Sequence, residues 1–355
     1  MIDYLITQKE RIQRSLNDYL LVEAKHVFER HPFGRDVAER LLDFASRGKM
    51  IRGALVYLGA ELYGYQGPTE PVTRLAAVME LLQSFLLIHD DIMDGDLLRR
   101  GVPSVFAQYE QLGTEKALSG PRSFGEAMGI CAGDVAIFLA TALVAHDDVP
   151  VHLERPLLRL ISTEVARVGL AQMSDVYHGV YPGQVDEQEI IDLYRFKTGR
   201  YTFSLPLMCG STIAGAHTDD IHALGAIGEG LGIVFQIKDD YIGLFGKTDA
   251  IGKTVGSDIA ADKKTLYRTH LFNRAQGRDL ERLSSIFGSS EPSADDVEFV
   301  VRSMHSHGVV ESVESILQAY ATETREAIRN KLAGMPQEGR NMLEELLEYN
   351  VTREA

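Results

Sequence analysis

At 355 residues the chain allows one large domain or two of about 150. Its 45% hydrophobic and 25% charged residues, with only 11 prolines, exclude a disordered chain, a collagen-like fibre and a disulfide-stapled mini-protein. The net charge of −15, from 36 Lys+Arg against 51 Asp+Glu, repels duplexes and anionic membranes on average, so no nucleic-acid partner is expected. Cys131 and Cys209 show no metal-binding spacing and read as buried small hydrophobes in a reducing compartment. The start, Met1-Ile2-Asp3-Tyr4, lacks the layout of a signal peptide. The longest charge-free apolar run, Val135 to Ala145, falls short of the ~20 residues of a membrane-crossing helix. A cytoplasmic protein without a membrane span is expected.

Along the chain, apolar residues recur every three or four positions and period-2 alternation is scarce. Asp36 to Phe44 and Ala319 to Leu332 favour helix by composition. Leu75, Val78, Met79, Leu82 and Leu86 form one helical stripe, and Leu157, Leu160, Ile161, Val165 and Val168 another. Val135 to Ala145, apolar nearly all round, predicts a helix buried in the centre of a bundle. Gly and Pro collect at 64–71, 113–121, 181–183, 243–256 and 288–292, which read as connections. With no repeat, no low-complexity tail and no long linker, the pattern predicts a single all-α domain over residues 1–355.

Two acidic clusters close apolar stretches. In the first, Asp90 and Asp94 lie one helical turn apart, with Asp91 about 100° round the helix. Three carboxylates directly after Phe85 to Ile88 are costly without positive charge between them. Such hard oxygen donors suit Mg²⁺, which shares its coordination with substrate phosphate. Asp239 and Asp240 close a second apolar stretch, Leu231 to Ile237. Asp pairs also cap helices or face solvent, but two clusters in matching contexts make that reading poor. Basic groups accompany them: Lys49 and Arg52, three apart on one expected helix face after Gly48; Arg99 and Arg100 beyond Asp94; Lys197 and Lys253 beside glycines. Together they describe a site for diphosphates with a greasy tail.

From Gly48 to Thr265 the sequence resembles the short-chain trans-isoprenyl diphosphate synthases. The shared set is GKxxR, Gln83 with DDIMD and RRG, Gly133-Asp134, Gln172-x-x-Asp175, KTxxYxF, FQxxDD and GKxxGSD, in family order. The resemblance implies an all-α isoprenoid-synthase bundle around a central cavity, and a homodimer. It implies three Mg²⁺ held by Asp90, Asp91 or Asp94 and by Asp239, with Asp240 acting through water. It gives Arg99, Lys197 and Lys253 to the allylic diphosphate, and Gly48, Lys49, Arg52, Gln83, Arg100 and Phe235 to isopentenyl diphosphate. Oxygens of Lys197, Thr198 and Gln236 would face the allylic cation, and the basic tail residue Arg353 would reach a diphosphate. Phe85 and Leu86, five and four places before Asp90, would form the floor of the tail pocket. A single aromatic there, five places before, resembles archaeal-type geranylgeranyl synthases and implies a C20 product; aromatics at both positions would resemble C15 farnesyl synthases. Four positions depart from the family: Gly243 for a third acid, Arg47 for glycine, Gly53 for proline and Ala171 for glycine. A terpene cyclase would carry a different second motif, and a regulatory subunit would lack principal acids or bases that this chain keeps.

Overall fold

The computed structural model describes residues 2–246, 256–289 and 291–353. In chain order the helices are α1 (Ile2–Asp18), a π-helical turn (Tyr19–Glu23), α2 (Lys25–Phe28), α3 (Gly34–Ser46), α4 (Ile51–Glu61) and α5 (Glu70–Asp94). A hairpin of β1 (Leu98–Arg99) and β2 (Val102–Pro103) leads to α6 (Val105–Glu115), α7 (Pro121–Val144), α8 (Val151–Val180) and α9 (Glu187–Leu193). An 11-residue π-helix (Tyr194–Ser204) continues into α10 (Leu205–Ile213) and α11 (Thr218–Phe245). The remainder is α12 (Ser257–Ala260), α13 (Leu266–Arg274), α14 (Gly277–Ile286), α15 (Ala294–Ser306), α16 (Val309–Lys331) and α17 (Gln337–Thr352). The expected all-α class holds, with a two-residue antiparallel ladder as the sheet among the described residues.

Packing divides the chain into two compact units, Met1–Ile161 with Pro206–Ile221, and Ser162–Leu205 with His222–Ala355. In the first, α5 is the central element. Its Leu75, Ala76, Ala77, Val78, Met79 and Leu81 have no exposed surface, and it packs on α1, α4 and α7. Burying these side chains at about 1.5–3 kcal/mol for each large one holds the helix against its entropy cost. Both α5 and α7 are long and apolar enough to cross a membrane, but 72% of the α5 window is buried against neighbouring helices. Such burial marks a core helix. In the second unit α11 is central, with Leu224, Leu231, Val234 and Ile237 fully buried, while α13 packs on α16 and α16 on α17.

Three expectations change. The segment 135–145 is not enclosed on all sides: α7 exposes Phe138 at 73% and Ile130 at 46%. Cys131 on the same helix is exposed, whereas Cys209 is buried as expected. An apolar sequence shows how much greasy surface a helix carries, but not whether its own unit covers it. Residues 243–245 prolong α11 instead of starting a loop.

Candidate active site

The first acidic cluster sits where α5 ends. Gly95, at φ 70°, stops the helix, and the Asp96 N–H returns to the Asp91 carbonyl at 2.8 Å. Carboxylates at a helix C-terminus face the negative end of the helix dipole, which adds to their cost. Asp91 shows the strain most: burial pushes its carboxyl up to about 6, Arg99 pulls the other way, and Asp90 and Asp96 raise it further. Its side chain is fully buried, Arg99 Nε donates to Oδ1 at 2.7 Å, and Oδ2 is buried without a hydrogen-bond partner. Asp90 is half-buried and Asp94 exposed.

Arg99 and Arg100 come from the hairpin, not from an extension of the helix. The two-residue turn Arg100-Gly101 has φ of 54° and 77°, the left-handed pair that a tight hairpin needs. Arg100 thereby turns back to α3, donating to the Phe44 carbonyl at 3.2 Å. A Cβ on Gly48 would come within 3.1 Å of the Arg100 guanidinium, so glycine there leaves it room. Lys49 is exposed and precedes α4, with Met50 at φ 52° as the helix cap, so it does not share a helix face with Arg52. Beneath these bases lies Glu80, a buried carboxylate that no motif signals. Burial holds it above the usual carboxylate range, opposed by the Gly53 N–H and by Arg52, Arg100 and Lys9. The Gly53 N–H donates to Glu80 Oε1 at 2.8 Å, a bond that the family's proline could not make. Gln83 lies one turn on, half-buried.

On the same helix Gln83, Phe85, Leu86, His89 and Asp90 keep accessible surface, while Leu82, Ser84 and Ile88 are buried. At about 100° per residue Phe85 stands about 140° round the helix from Asp90, on the flank of its stripe. Its ring meets His89 edge-on at 4.9 Å between centroids, and the His89 Nε2 lies 3.1 Å from the Ile130 carbonyl of α7. A Cβ on Gly133 would stand 2.3 Å from that imidazole.

The second unit builds the other cluster around the π-helix and α11. Gly199 and Gly232 let the two backbones touch, since a Cβ on Gly232 would lie 2.1 Å from the Gly199 Cα. Beside this contact Thr198 Oγ1 donates to Gln236 Oε1 at 2.9 Å, and Gln236 Nε2 donates to Asp240 at 3.0 Å. The widened winding, with Leu205 N–H bonded to the Arg200 carbonyl, presents Lys197 to Asp175 as an ion pair. Asp240 is buried and accepts a hydrogen bond from the Tyr194 hydroxyl, which itself accepts from the Leu266 N–H. Burial raises Asp240 to about 7; Lys263, Tyr194 and Gln236 lower it, and Asp258 raises it. Asp240 thus faces inward as an anchor. Asp239, half-exposed, is held by Arg353, whose Nη2 lies 2.8 Å from Oδ1 and 3.1 Å from the Phe235 carbonyl. The same guanidinium stacks 3.8 Å over the Phe235 ring, and Phe235 tilts against Phe203 at 5.6 Å. Lys263, although desolvated, is held above its ordinary value by Asp240, Asp258, Asp175 and Asp239. Lys253 lies outside the described residues.

Among the described residues no three acid, histidine or cysteine side chains converge as a cage. Magnesium needs no such cage: it takes one or two carboxylates and leaves the remaining positions to water and phosphate. The accessible Asp90, Asp94 and Asp239 and the unsatisfied Oδ2 of Asp91 fit that donor set.

The polyprenyl synthetase family profile matches residues 36–304, and the chain belongs to that family. It is 31% identical over 310 residues to a short chain isoprenyl diphosphate synthase of Methanothermobacter thermautotrophicus, covering 84% of this chain and 81% of that one. It is 29% identical over 321 residues to a geranylfarnesyl diphosphate synthase of Natronomonas pharaonis, covering 86% of each. The crystal structure of a geranylgeranyl pyrophosphate synthase from Corynebacterium glutamicum, complexed with isoprenyl diphosphate and magnesium, superposes with a TM-score of 0.89. It shares 26% identity and covers 97% of this chain and 98% of that one.

Proposed function

We propose that the chain condenses isopentenyl diphosphate head to tail with allylic diphosphates and stops at geranylgeranyl diphosphate, C20, acting as one polyprenyl synthetase domain. The observation that carries this reading is that each carboxylate pair, near the C-terminal end of an apolar helix, is matched by fixed bases. Arg99 meets Asp91 in one unit, and Lys263 and Arg353 face Asp239 in the other. Asp90, Asp91, Asp94 and Asp239 are the oxygen donors for Mg²⁺, with three ions the number that the family resemblance implies. Magnesium supplies neutralisation of the departing pyrophosphate.

The chain's own groups do the rest. Arg99, Lys197 and Lys253 hold oxygens of the allylic diphosphate, and the geometry adds Lys263. Lys49, Arg52, Gln83 and Arg100 hold isopentenyl diphosphate, with Glu80 fixing the bases from behind and Phe235 assigned to the hydrocarbon end. The allylic C–O bond breaks, the isopentenyl double bond supplies the electron pair of the new C–C bond, and the proton lost goes to the released pyrophosphate. The Thr198 hydroxyl, oriented by Gln236, and the Lys197 carbonyl stabilise the cation, and apolar walls keep water from quenching it.

Phe85 and Leu86, on the accessible face of α5, set the length. Exposed apolar side chains, Phe138 on α7 and Leu170, Met173 and Val180 on α8, support a homodimer in which a second copy covers them. We place it in the cytoplasm. Incubation of labelled isopentenyl diphosphate with farnesyl diphosphate tests the reading. Incorporation into a C20 alcohol that a chelator abolishes supports it; no incorporation at any Mg²⁺ concentration overturns it.

A further inference from the structure

The π-helix is pinned from two sides by carboxylates that take no part in the site described above. Arg200 engages them with all three of its guanidinium nitrogens. Nε donates to Glu164 Oε2 at 2.6 Å and Nη2 to Glu164 Oε1 at 2.7 Å, a bidentate fork onto α8, while Nη1 donates to Glu229 Oε1 on α11. Glu164 is only 2% exposed, so its charge depends on its cations, Arg200 and, at 2.7 Å, Arg167. The other oxygen of Glu229 faces Arg195 Nε at 3.4 Å.

Both partner helices carry this register on towards the acidic cluster. Along α11, Glu229, Gly232 and Gln236 share one face at three- and four-residue spacing, and they meet Arg200, Gly199 and Thr198 in turn. A Cβ on Gly199 would stand 3.0 Å from the Glu229 carbonyl oxygen, so a side chain there would force the two backbones apart. Along α8, Glu164 and Asp175 lie about three turns and about 16 Å apart, and hence on one face. Glu164 takes Arg200, and Asp175 takes Lys197. A slip of one position in the π-helix would withdraw Arg200 from both helices and cost the buried Glu164 its two-pronged partner.

We propose that Arg200 is a positioning residue: by bridging Glu164 and Glu229 it fixes the register of the π-helix, and so sets Lys197 and Thr198 where the allylic group reacts. The proposal rests on the reading of Lys197 and Thr198 as reaction groups. Arg200 itself holds no substrate, because every nitrogen of its guanidinium is bonded to a carboxylate. A lysine would keep the charge but lose the fork, since an ammonium is a point charge without a fixed plane.

The test is steady-state kinetics of the full chain in Mg²⁺ with isopentenyl and farnesyl diphosphates, beside thermal melting. The variants are Arg200→Met, Arg200→Lys and the double variant Arg200→Met/Glu164→Gln, with Lys197→Met and Thr198→Val as references. Arg200→Met is expected to melt lower and to lose about 10- to 100-fold in kcat, the scale of loss when reacting groups are displaced by about 1 Å. Its KM for isopentenyl diphosphate should stay near wild type, because Lys49, Arg52 and Arg100 belong to the other unit. Arg200→Lys should recover only part of the loss. The double variant should regain melting temperature, since the buried carboxylate is neutralised, while kcat stays low. A kcat that recovers together with the melting temperature, or a folded Arg200→Met with wild-type kcat, overturns the proposal. If Lys197→Met and Thr198→Val also keep wild-type kcat, the reading of the segment itself fails; if they lose it while Arg200→Met does not, only the role of Arg200 does. Should Arg200→Met not fold, the double variant against wild type decides by the same criterion.

Discussion

Replacing Phe85 by Ala should lengthen the product by one isoprene unit. Phe85 precedes Asp90 by five residues on an unbroken helix, which places it about 7.5 Å down the axis at ~1.5 Å per residue. The next side chains one turn deeper, Leu82 and Leu81, add three or four residues, about 5 Å. One isoprene unit extends a chain by four C–C bonds of about 1.5 Å, also about 5 Å when extended. Removing the ring therefore opens room for one further condensation, from C20 to C25. Full burial would make Phe→Ala cost about 3–5 kcal/mol, and a half-buried Phe85 should cost about half of that, leaving a folded enzyme. The assay is separation of dephosphorylated products by chain length, with melting as the control for folding. A folded, active variant that still stops at C20 would refute the assignment of Phe85 as the floor.

Arg52→Ala should raise the KM for isopentenyl diphosphate by about 10- to 100-fold, the worth of a charged hydrogen bond, with little change in KM for farnesyl diphosphate; steady-state kinetics with each substrate varied checks this. Glu80, held above the usual carboxylate range by burial, favours folding when protonated, so its contribution is present below the unfolded carboxylate value and is lost as pH rises through the higher folded one. Glu80→Gln should therefore gain melting temperature relative to wild type as pH rises above the ordinary carboxylate value, while its KM for isopentenyl diphosphate rises; parallel melting curves would contradict the first part. Gly133→Ala drives a methyl into the His89 ring, which must shift, and should cost about 1–3 kcal/mol in chemical denaturation.

The acidic clusters were legible because one helical turn links Asp90 to Asp94, and because an apolar run ending in carboxylates demands counter-charge. Their partners were harder to read. Glu80 meets Gly53 from 27 residues away and Tyr194 meets Asp240 across 46, so no local spacing betrays either contact. Lys263 carries no motif of its own; its four acidic neighbours, Asp175, the pair Asp239 and Asp240, and Asp258, come from three parts of the chain. Helical spacing also misled where the backbone leaves the helix. Lys49 lies outside α4 because Met50 turns left-handed, and the Arg100-Gly101 hairpin was hidden because arginine rarely adopts positive φ. Cys131 and Phe138 show the same limit for burial, since composition does not say which greasy face its own unit leaves uncovered.

The most direct test supplies purified protein with Mg²⁺, radiolabelled isopentenyl diphosphate and the C5, C10 or C15 allylic diphosphate in turn. The account predicts that all three primers converge on a C20 alcohol after dephosphorylation. Failure to extend any of them would contradict the assignment of these acids and bases to prenyl transfer, and a C15 product throughout would contradict the pocket floor.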